Sequence, residues 1–400
     1  MAKKTIRDID LAGRKVLMRC DFNVPLDGSG NITDDTRILG ALPSIEYLLE
    51  QGARVILCSH LGRPGGEENS NFSLKPVVSR LGELLQRKVE FVECCVGDDA
   101  MNASAALNDG DLLLLENVRF HKEETANDSA FASRLANGAE VFVNDAFGTA
   151  HRAHASTVGV ADHVDESVMG FLMERELQYL SEELKNPERP FVIILGGKKV
   201  SDKIGVINAL FEKADTILIG GAMQYAFRKA QGHDIGESYV VEEDIAIARE
   251  LLDKADEKGV ALLLPADSLE ADSFSDDAAT NNIVPYSAGG SIRDGWEGLD
   301  IGEKAIGEFC DVISGARSIV WNGPMGVFEI DAFSKGTRAV AQAVADSEAL
   351  SIIGGGDSVT AIKKFGLSEN VTFISTGGGA SLELLEGKQL PGVSALDNAE

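Results

Sequence analysis

The sequence predicts an α/β fold of two lobes, with parallel strands covered by helices and a further helix at the boundary between the lobes. Three observations carry this. Strand-length runs recur that are apolar on both faces, the mark of parallel strands covered by helices. Stretches with helical spacing alternate with them, as in α/β architectures with right-handed crossovers. The chain has 400 residues, whereas single cores stop growing near about 250–300.

The first set of strands is expected at Val16–Arg19, Arg54–Cys58, Val89–Val92, Asp111–Leu115 and Val141–Asn144. The second is expected at Phe191–Leu195, Thr216–Ile219, Ala261–Leu264, Ser318–Trp321, Ser351–Ile353 and Val371–Ile374. Between them, Leu42–Gln51 and Val77–Leu85 space their apolar residues by three and four. Leu172–Leu180 reads as one more helix, broken before the next strand by Asn186-Pro187-Glu188-Arg189-Pro190. The lobes therefore divide near 171–190.

Composition narrows the function classes. A net charge of −27 argues against nucleic acid or an anionic membrane as partner. Solubility explains the acidity most simply, and adaptation to high salt, which screens self-repulsion, is a second reading. No apolar stretch reaches the roughly 18–20 residues of a membrane span. The basic start has no apolar run behind it, so no signal peptide is expected. The cysteines number five, an odd count without C-x-x-C spacing, and four lie in or beside apolar runs. A disulfide framework or zinc site is not expected, and a reducing cytoplasm fits best.

The strand ends differ between the halves, and ligands of open parallel sheets bind there. The first half carries Arg19-Cys20-Asp21-Phe22-Asn23, Ser59-His60-Leu61-Gly62-Arg63-Pro64, Glu116-Asn117-Val118-Arg119 and Thr149-Ala150-His151-Arg152. One such arginine is an ordinary surface residue. Arg37, Arg63, Arg119 and Arg152 with His60, His151 and Asn23 suggest a basic pocket for a compact anion, since guanidinium binds phosphate and carboxylate in bidentate fashion. His151 and His154 have no carboxylate or cysteine to complete a metal site.

The second half carries Gly196-Gly197-Lys198-Lys199, Gly220-Gly221, Asn322-Gly323-Pro324, Gly354-Gly355-Gly356-Asp357-Ser358 and Gly377-Gly378-Gly379. Neither G-x-G-x-x-G nor the Walker A spacing occurs, so a nucleotide must be held another way. Glycine lets backbone approach a ligand, and free amides at a helix start bind anions. Asp357 would suit Mg2+, which takes a few carboxylates plus phosphate oxygens. The plainer alternative is a tight turn capped by Asp or Ser. Lys199 and Lys203 fall on one face if a helix begins there; solvated lysines are the alternative.

Together these strings resemble the phosphoglycerate kinase family from about Arg14 to Ala395. Asp21-Phe22-Asn23-Val24-Pro25, Asp35-Thr36-Arg37-Ile38, Asn144 to His154, Val320-Trp321-Asn322-Gly323-Pro324 through Glu329, and Ser375 to Ser381 follow in the family's order. The resemblance implies two lobes, each a doubly wound parallel sheet with helices on both faces, joined by a hinge helix: first a 3-phosphoglycerate domain over 1–170 with the tail 381–400 packed back on it. A hinge helix follows over 171–186 and a nucleotide domain over 187–380. It implies substrate contacts from Asp21, Phe22, Asn23, Arg37, His60, Leu61, Gly62, Arg63, Arg119 and Arg152. Nucleotide contacts are implied at Lys203, Asn322, Glu329, Gly355, Gly356, Asp357 and Ser358, with Asp357 on Mg2+ and Arg37, Lys199 and Gly378 at the transferring group. The implied reaction is phosphoryl transfer between ATP/ADP and 3-phosphoglycerate/1,3-bisphosphoglycerate, by a cytoplasmic monomer without nucleic-acid or membrane partner. Lys198, Gln224, Ala226, Glu297 and Glu303 depart from the family's commoner residues, which puts nucleotide affinity in question.

Two other classes compete. An NAD-dependent oxidoreductase is disfavoured by the missing dinucleotide motif. A phospho-ligand binding protein without turnover would share the fold, and only an assay separates it.

Overall fold

A computed structural model describes residues 2–399. The chain packs as two compact units, Met1–Gln178 with Gln389–Glu400, and Tyr179–Lys388.

In the first unit β1 (Lys15–Arg19), β2 (Arg54–Cys58), β3 (Glu90–Val92), β4 (Leu112–Leu115), β5 (Val141–Asn144) and β6 (Glu166–Met169) form one sheet. Its order is β3-β4-β2-β1-β5-β6, parallel throughout. Val16, Met18, Val55 and Leu57 face a core filled by Ile38, Ile45 and Leu48 of helix Thr36–Glu50 and by Val77 and Leu81 of helix Lys75–Leu85. The alternate residues Leu17, Ile56, Leu113 and Phe142 are equally buried, so both faces are covered and the runs show no polar alternation. The sequence reading lacked β6, because Glu166-Ser167-Val168-Met169 holds only two apolar residues.

The second unit holds β7 (Phe191–Leu195), β8 (Thr216–Ile219), β9 (Ala261–Leu263), β10 (Ser268–Ala271), β11 (Thr280–Asn282), β12 (Glu297–Ile301), β13 (Ser318–Asn322), β14 (Leu350–Gly354) and β15 (Phe373–Ile374). The parallel sheet runs β15-β14-β13-β7-β8-β9. The antiparallel sheet β11-β10-β12 was not expected. β11 is wholly polar and exposed, so its hydrogen bonds, not burial, recruit it. Glu270 of β10 helps fix this sheet: its buried carboxylate takes the amide of Arg293 at 2.9 Å and Asn281 Nδ2 at 2.9 Å.

In both parallel sheets the winding reverses beside the first strand, between β1 and β5 and between β7 and β13. Such reversals open a crevice at the carboxyl ends of the strands.

Three sequence expectations are corrected. No helix carries Lys199 and Lys203 on one face: 198–200 is irregular, 201–203 is a turn, and the helix starts at Ile204. Asp244 explains the delay, since its buried carboxylate takes the amides of Val200 at 2.8 Å and Ser201 at 3.2 Å. The segment returning to the first unit begins at Gln389 rather than 381. Helix Gly379–Leu385 packs on Ile204–Leu210 within the second unit. The single helix read over 171–186 is an α-helix only over Phe171–Leu177 and continues as a π-helical turn, Gln178–Glu182. The division between the units falls within it.

Asp145, just past β5, is wholly buried and takes the amide of Met173 at 3.1 Å. Burial pushes its carboxyl from the ordinary 3.8 up to about 7. The folded state thus binds the proton more tightly than the unfolded one, a contribution present at acid pH and lost as pH rises from 3.8 through about 7. Urea unfolding of wild type and Asp145→Asn should show wild type losing stability relative to the variant across that window. A gap independent of pH contradicts the burial account.

Candidate active site

In the first unit the strand ends converge on His60. Arg19, the last residue of β1, is fully buried. Its guanidinium donates to Ser156 Oγ at 2.8 Å and to the Cys20 carbonyl, and lies 3.2 Å from His60 Nδ1. Ser156 donates on to Glu124 at 2.7 Å, so a buried carboxylate backs the buried arginine. Arg37 pairs with Asp21 near the start of its helix. Gly62 donates its amide to Asn23 Oδ1 at 2.8 Å, and its carbonyl accepts from Arg119 at 2.8 Å. Asn117 fixes that turn by accepting the Arg119 amide at 3.0 Å and donating to Leu61 O at 2.7 Å. Arg119 Nε is buried without a hydrogen-bond partner among the described residues.

The charges confirm the gathering. Burial, then Arg19, Arg119, Arg37 and Arg152, push His60 well below its ordinary value. Burial and the guanidiniums of Arg119, Arg19 and Arg152 push His154 down to about 4. Arg119 itself falls to about 10 through burial and its neighbours Arg19 and Arg152, and so stays charged at neutral pH. Such a cluster of like charges is relieved by an anion.

Three of the expected residues stand outside this network of side-chain contacts. Phe22 and Leu61 are buried side chains and offer a ligand only backbone; the Phe22 amide is already bonded to Ser59 Oγ at 2.8 Å. Arg63 is exposed and makes no hydrogen bond or ion pair among the described residues. Arg19 and Glu124 went unrecognised as site components, because a strand-terminal arginine looks like any other until its burial is known.

In the second unit a cavity of about 920 Å³ opens at the β7/β13 reversal. It gathers Lys199, Lys203, Asn322, Glu329, Gly355, Gly356, Asp357, Ser358 and Gly378. The backbone approach is close: a Cβ on Gly196 would lie 2.0 Å from the Pro324 carbonyl oxygen. Lys203 is largely buried, bonds to Asn322 Oδ1, and is pushed down by burial. Asn322 Nδ2 is buried with no acceptor among the described residues. Ser358 is not a helix cap; its Oγ accepts the Gly323 amide at 2.5 Å. Lys198, Lys199, Asp357 and Glu329 are exposed on the rim. Among the departures, Gln224 and Glu297 line the cavity, whereas Glu303 pairs with Lys335 at 2.8 Å. Asp357 follows Gly355 and Gly356 on the cavity lining, and its carboxylate suits a magnesium ion held mainly by phosphate oxygens and water.

Residues 6–388 match the family model described as phosphoglycerate kinase. The chain belongs to the phosphoglycerate kinase family. It is therefore an enzyme, a kinase. A phosphoglycerate kinase of Akkermansia muciniphila is 58% identical over 396 residues, covering 99% of this chain and 98% of the relative. One of Clostridium tetani is 54% identical over 398 residues, covering 99% and 98%. The solved phosphoglycerate kinase of Coxiella burnetii superposes with a TM-score of 0.89 at 42% identity, covering 98% of each chain. That of Pyrococcus horikoshii gives 0.83 at 32%, also covering 98% of each.

The arginine environment makes a prediction for the ligand-free protein. His154 should titrate near 4 and His60 should stay neutral through pH 5–8, roughly the range in which free histidine titrates, as read by ring-carbon chemical shifts. A His60 titration in that range contradicts the cluster.

Proposed function

We propose that this kinase catalyses reversible, Mg2+-dependent transfer of a phosphoryl group between ATP and the carboxylate of 3-phosphoglycerate, giving ADP and 1,3-bisphosphoglycerate. The observation that carries the reading is the cavity at the β7/β13 reversal, where lysines, glycine backbone and an unsatisfied Asn322 amide face one space. The guanidinium cluster of the first unit supports 3-phosphoglycerate as the second ligand. The reaction serves glycolysis, and gluconeogenesis in reverse. A cytoplasmic monomer is part of the same reading.

The attacking carboxylate is ionised at neutral pH, so no general base is needed. Transfer demands in-line placement and cancellation of charge on the migrating group. Arg37, once released from Asp21, spans the acceptor carboxylate and the migrating phosphoryl. Lys199 and the amide of Gly378 meet its equatorial oxygens, while Lys203, Asn322, Gly355, Gly356 and Ser358 hold the nucleotide phosphates and Glu329 the ribose. Asp357 would hold the magnesium ion, which supplies positive charge to the phosphate oxygens. Asp21, Asn23, His60, Gly62, Arg63, Arg119 and Arg152 hold 3-phosphoglycerate. Because the two ligands belong to different units, closure about 171–186 completes the proposal.

Donors aimed at developing charge are worth about 3–4 kcal/mol each. Arg37→Ala and Lys199→Ala should each lower turnover about a hundredfold or more, in a coupled assay of ADP formation from ATP and 3-phosphoglycerate. Near-normal turnover in either variant removes its assigned role, and no ADP from wild type removes the function. Small-angle scattering should give a smaller radius of gyration with both substrates than without; an unchanged value argues against closure.

A further inference from the structure

Two sheets wall the cavity of the second unit, and they differ in chemistry. The ends of the parallel sheet bring lysines and glycine backbone. The antiparallel sheet and the loops beside it bring Tyr239, Phe274, Glu297, Gly298 and Leu299. A nucleotide that sets its phosphates against the first wall leaves its base to the second, where aromatic and apolar groups can stack on it. One carboxylate interrupts that wall. Glu297 is half-buried, and its side chain makes no hydrogen bond or ion pair among the described residues. Loss of water raises its proton affinity.

Its position is fixed by backbone. Glu297 pairs with Ala271 across the antiparallel sheet, and the amide of Gly298 donates to Ser238 Oγ at 2.9 Å. Residue 298 has no room for a side chain, since a Cβ there would lie 1.9 Å from the Tyr225 hydroxyl. An ionised carboxylate only accepts hydrogen bonds. Adenine presents one amino donor next to a ring nitrogen acceptor, whose lone pair would face the second carboxylate oxygen. Guanine presents two adjacent donors, N1–H and the 2-amino group.

We propose that Glu297 is a base-specificity residue whose carboxylate accepts the two donors of a guanine edge, so that guanosine nucleotides serve as phosphoryl carriers beside adenosine ones. The proposal rests on the nucleotide site assigned above.

The test measures kcat/KM for GTP and for ATP with 3-phosphoglycerate as acceptor, in wild type, Glu297→Gln and Glu297→Met. Wild type should use GTP within about tenfold of ATP, since a good bidentate pair with a base is worth about tenfold to a hundredfold. The glutamine amide offers one donor and one acceptor, the pattern of the adenine edge, and should move the GTP/ATP ratio toward ATP by about tenfold or more. Methionine should also lower the ratio. The KM for 3-phosphoglycerate should not move. A wild type that discriminates against GTP by more than about a hundredfold, or a ratio unchanged in both variants, overturns the inference. If neither nucleotide supports turnover, it is the proposed function that fails. GDP and ADP binding by calorimetry then reads base choice alone, with the same shift expected in Glu297→Gln and its absence overturning the inference.

Discussion

The second unit depends on the near-contact of three strand ends. Past β7, β8 and β13 the backbone amides of Gly196, Gly197 and Gly221 donate to the carbonyls of Asn322, Pro324 and Met325 at 3.1, 3.2 and 2.9 Å. A Cβ on Gly221 would fall 2.4 Å from Gly197 N, and one on Gly323 2.2 Å from Gly196 O. Only glycine permits such proximity, and Gly197, Gly221 and Gly323 also have positive φ. The same closeness leaves no side chain to fill the space in front of the loops. A cavity floored by backbone follows from the way the chain itself packs.

The first unit handles anions by another route. Its strand ends are joined by side chains, and the fully buried Arg19 organises them through Ser156, Glu124 and His60. A buried guanidinium must be paired and hydrogen-bonded, or its desolvation destabilises the fold. Glu124 and the Cys20 carbonyl meet that need, and the remaining positive field falls on His60, Arg119 and His154. This field coexists with a net charge of −27, because surface carboxylates are screened within about 8–10 Å by salt whereas the buried guanidiniums are not. Net charge and local charge thus point in opposite directions without conflict.

The departures from the family pattern gain meaning once placed. Glu303 sits in a surface ion pair, and such pairs contribute about 0–1 kcal/mol. Gln224 is buried and accepts from Ser268 Oγ at 3.2 Å, which ties the cavity wall to the antiparallel sheet. Glu297 brings to that wall a carboxylate with no hydrogen bond or ion pair among the described residues. Identical residue types therefore carry quite different weight according to what surrounds them.

Local chemistry, readable from sequence, determined the parallel strands, the glycine loops and the basic strand ends. Burial on both faces selects continuous apolar runs, and close backbone approach selects glycine, whatever the distant context. β6 and β11 were not legible, because their hydrogen bonds to neighbours, not their own apolarity, make them strands. The helix start at Ile204 was equally hidden, since Asp244 lies about forty residues away in sequence and holds the loop only after folding. Tertiary structure alone decided that Phe22 and Leu61 turn inward, that Arg63 stays exposed, and that Arg19 is the buried centre of the guanidinium cluster. Side-chain direction and burial depend on contacts between distant segments, and no run of residues encodes those by itself.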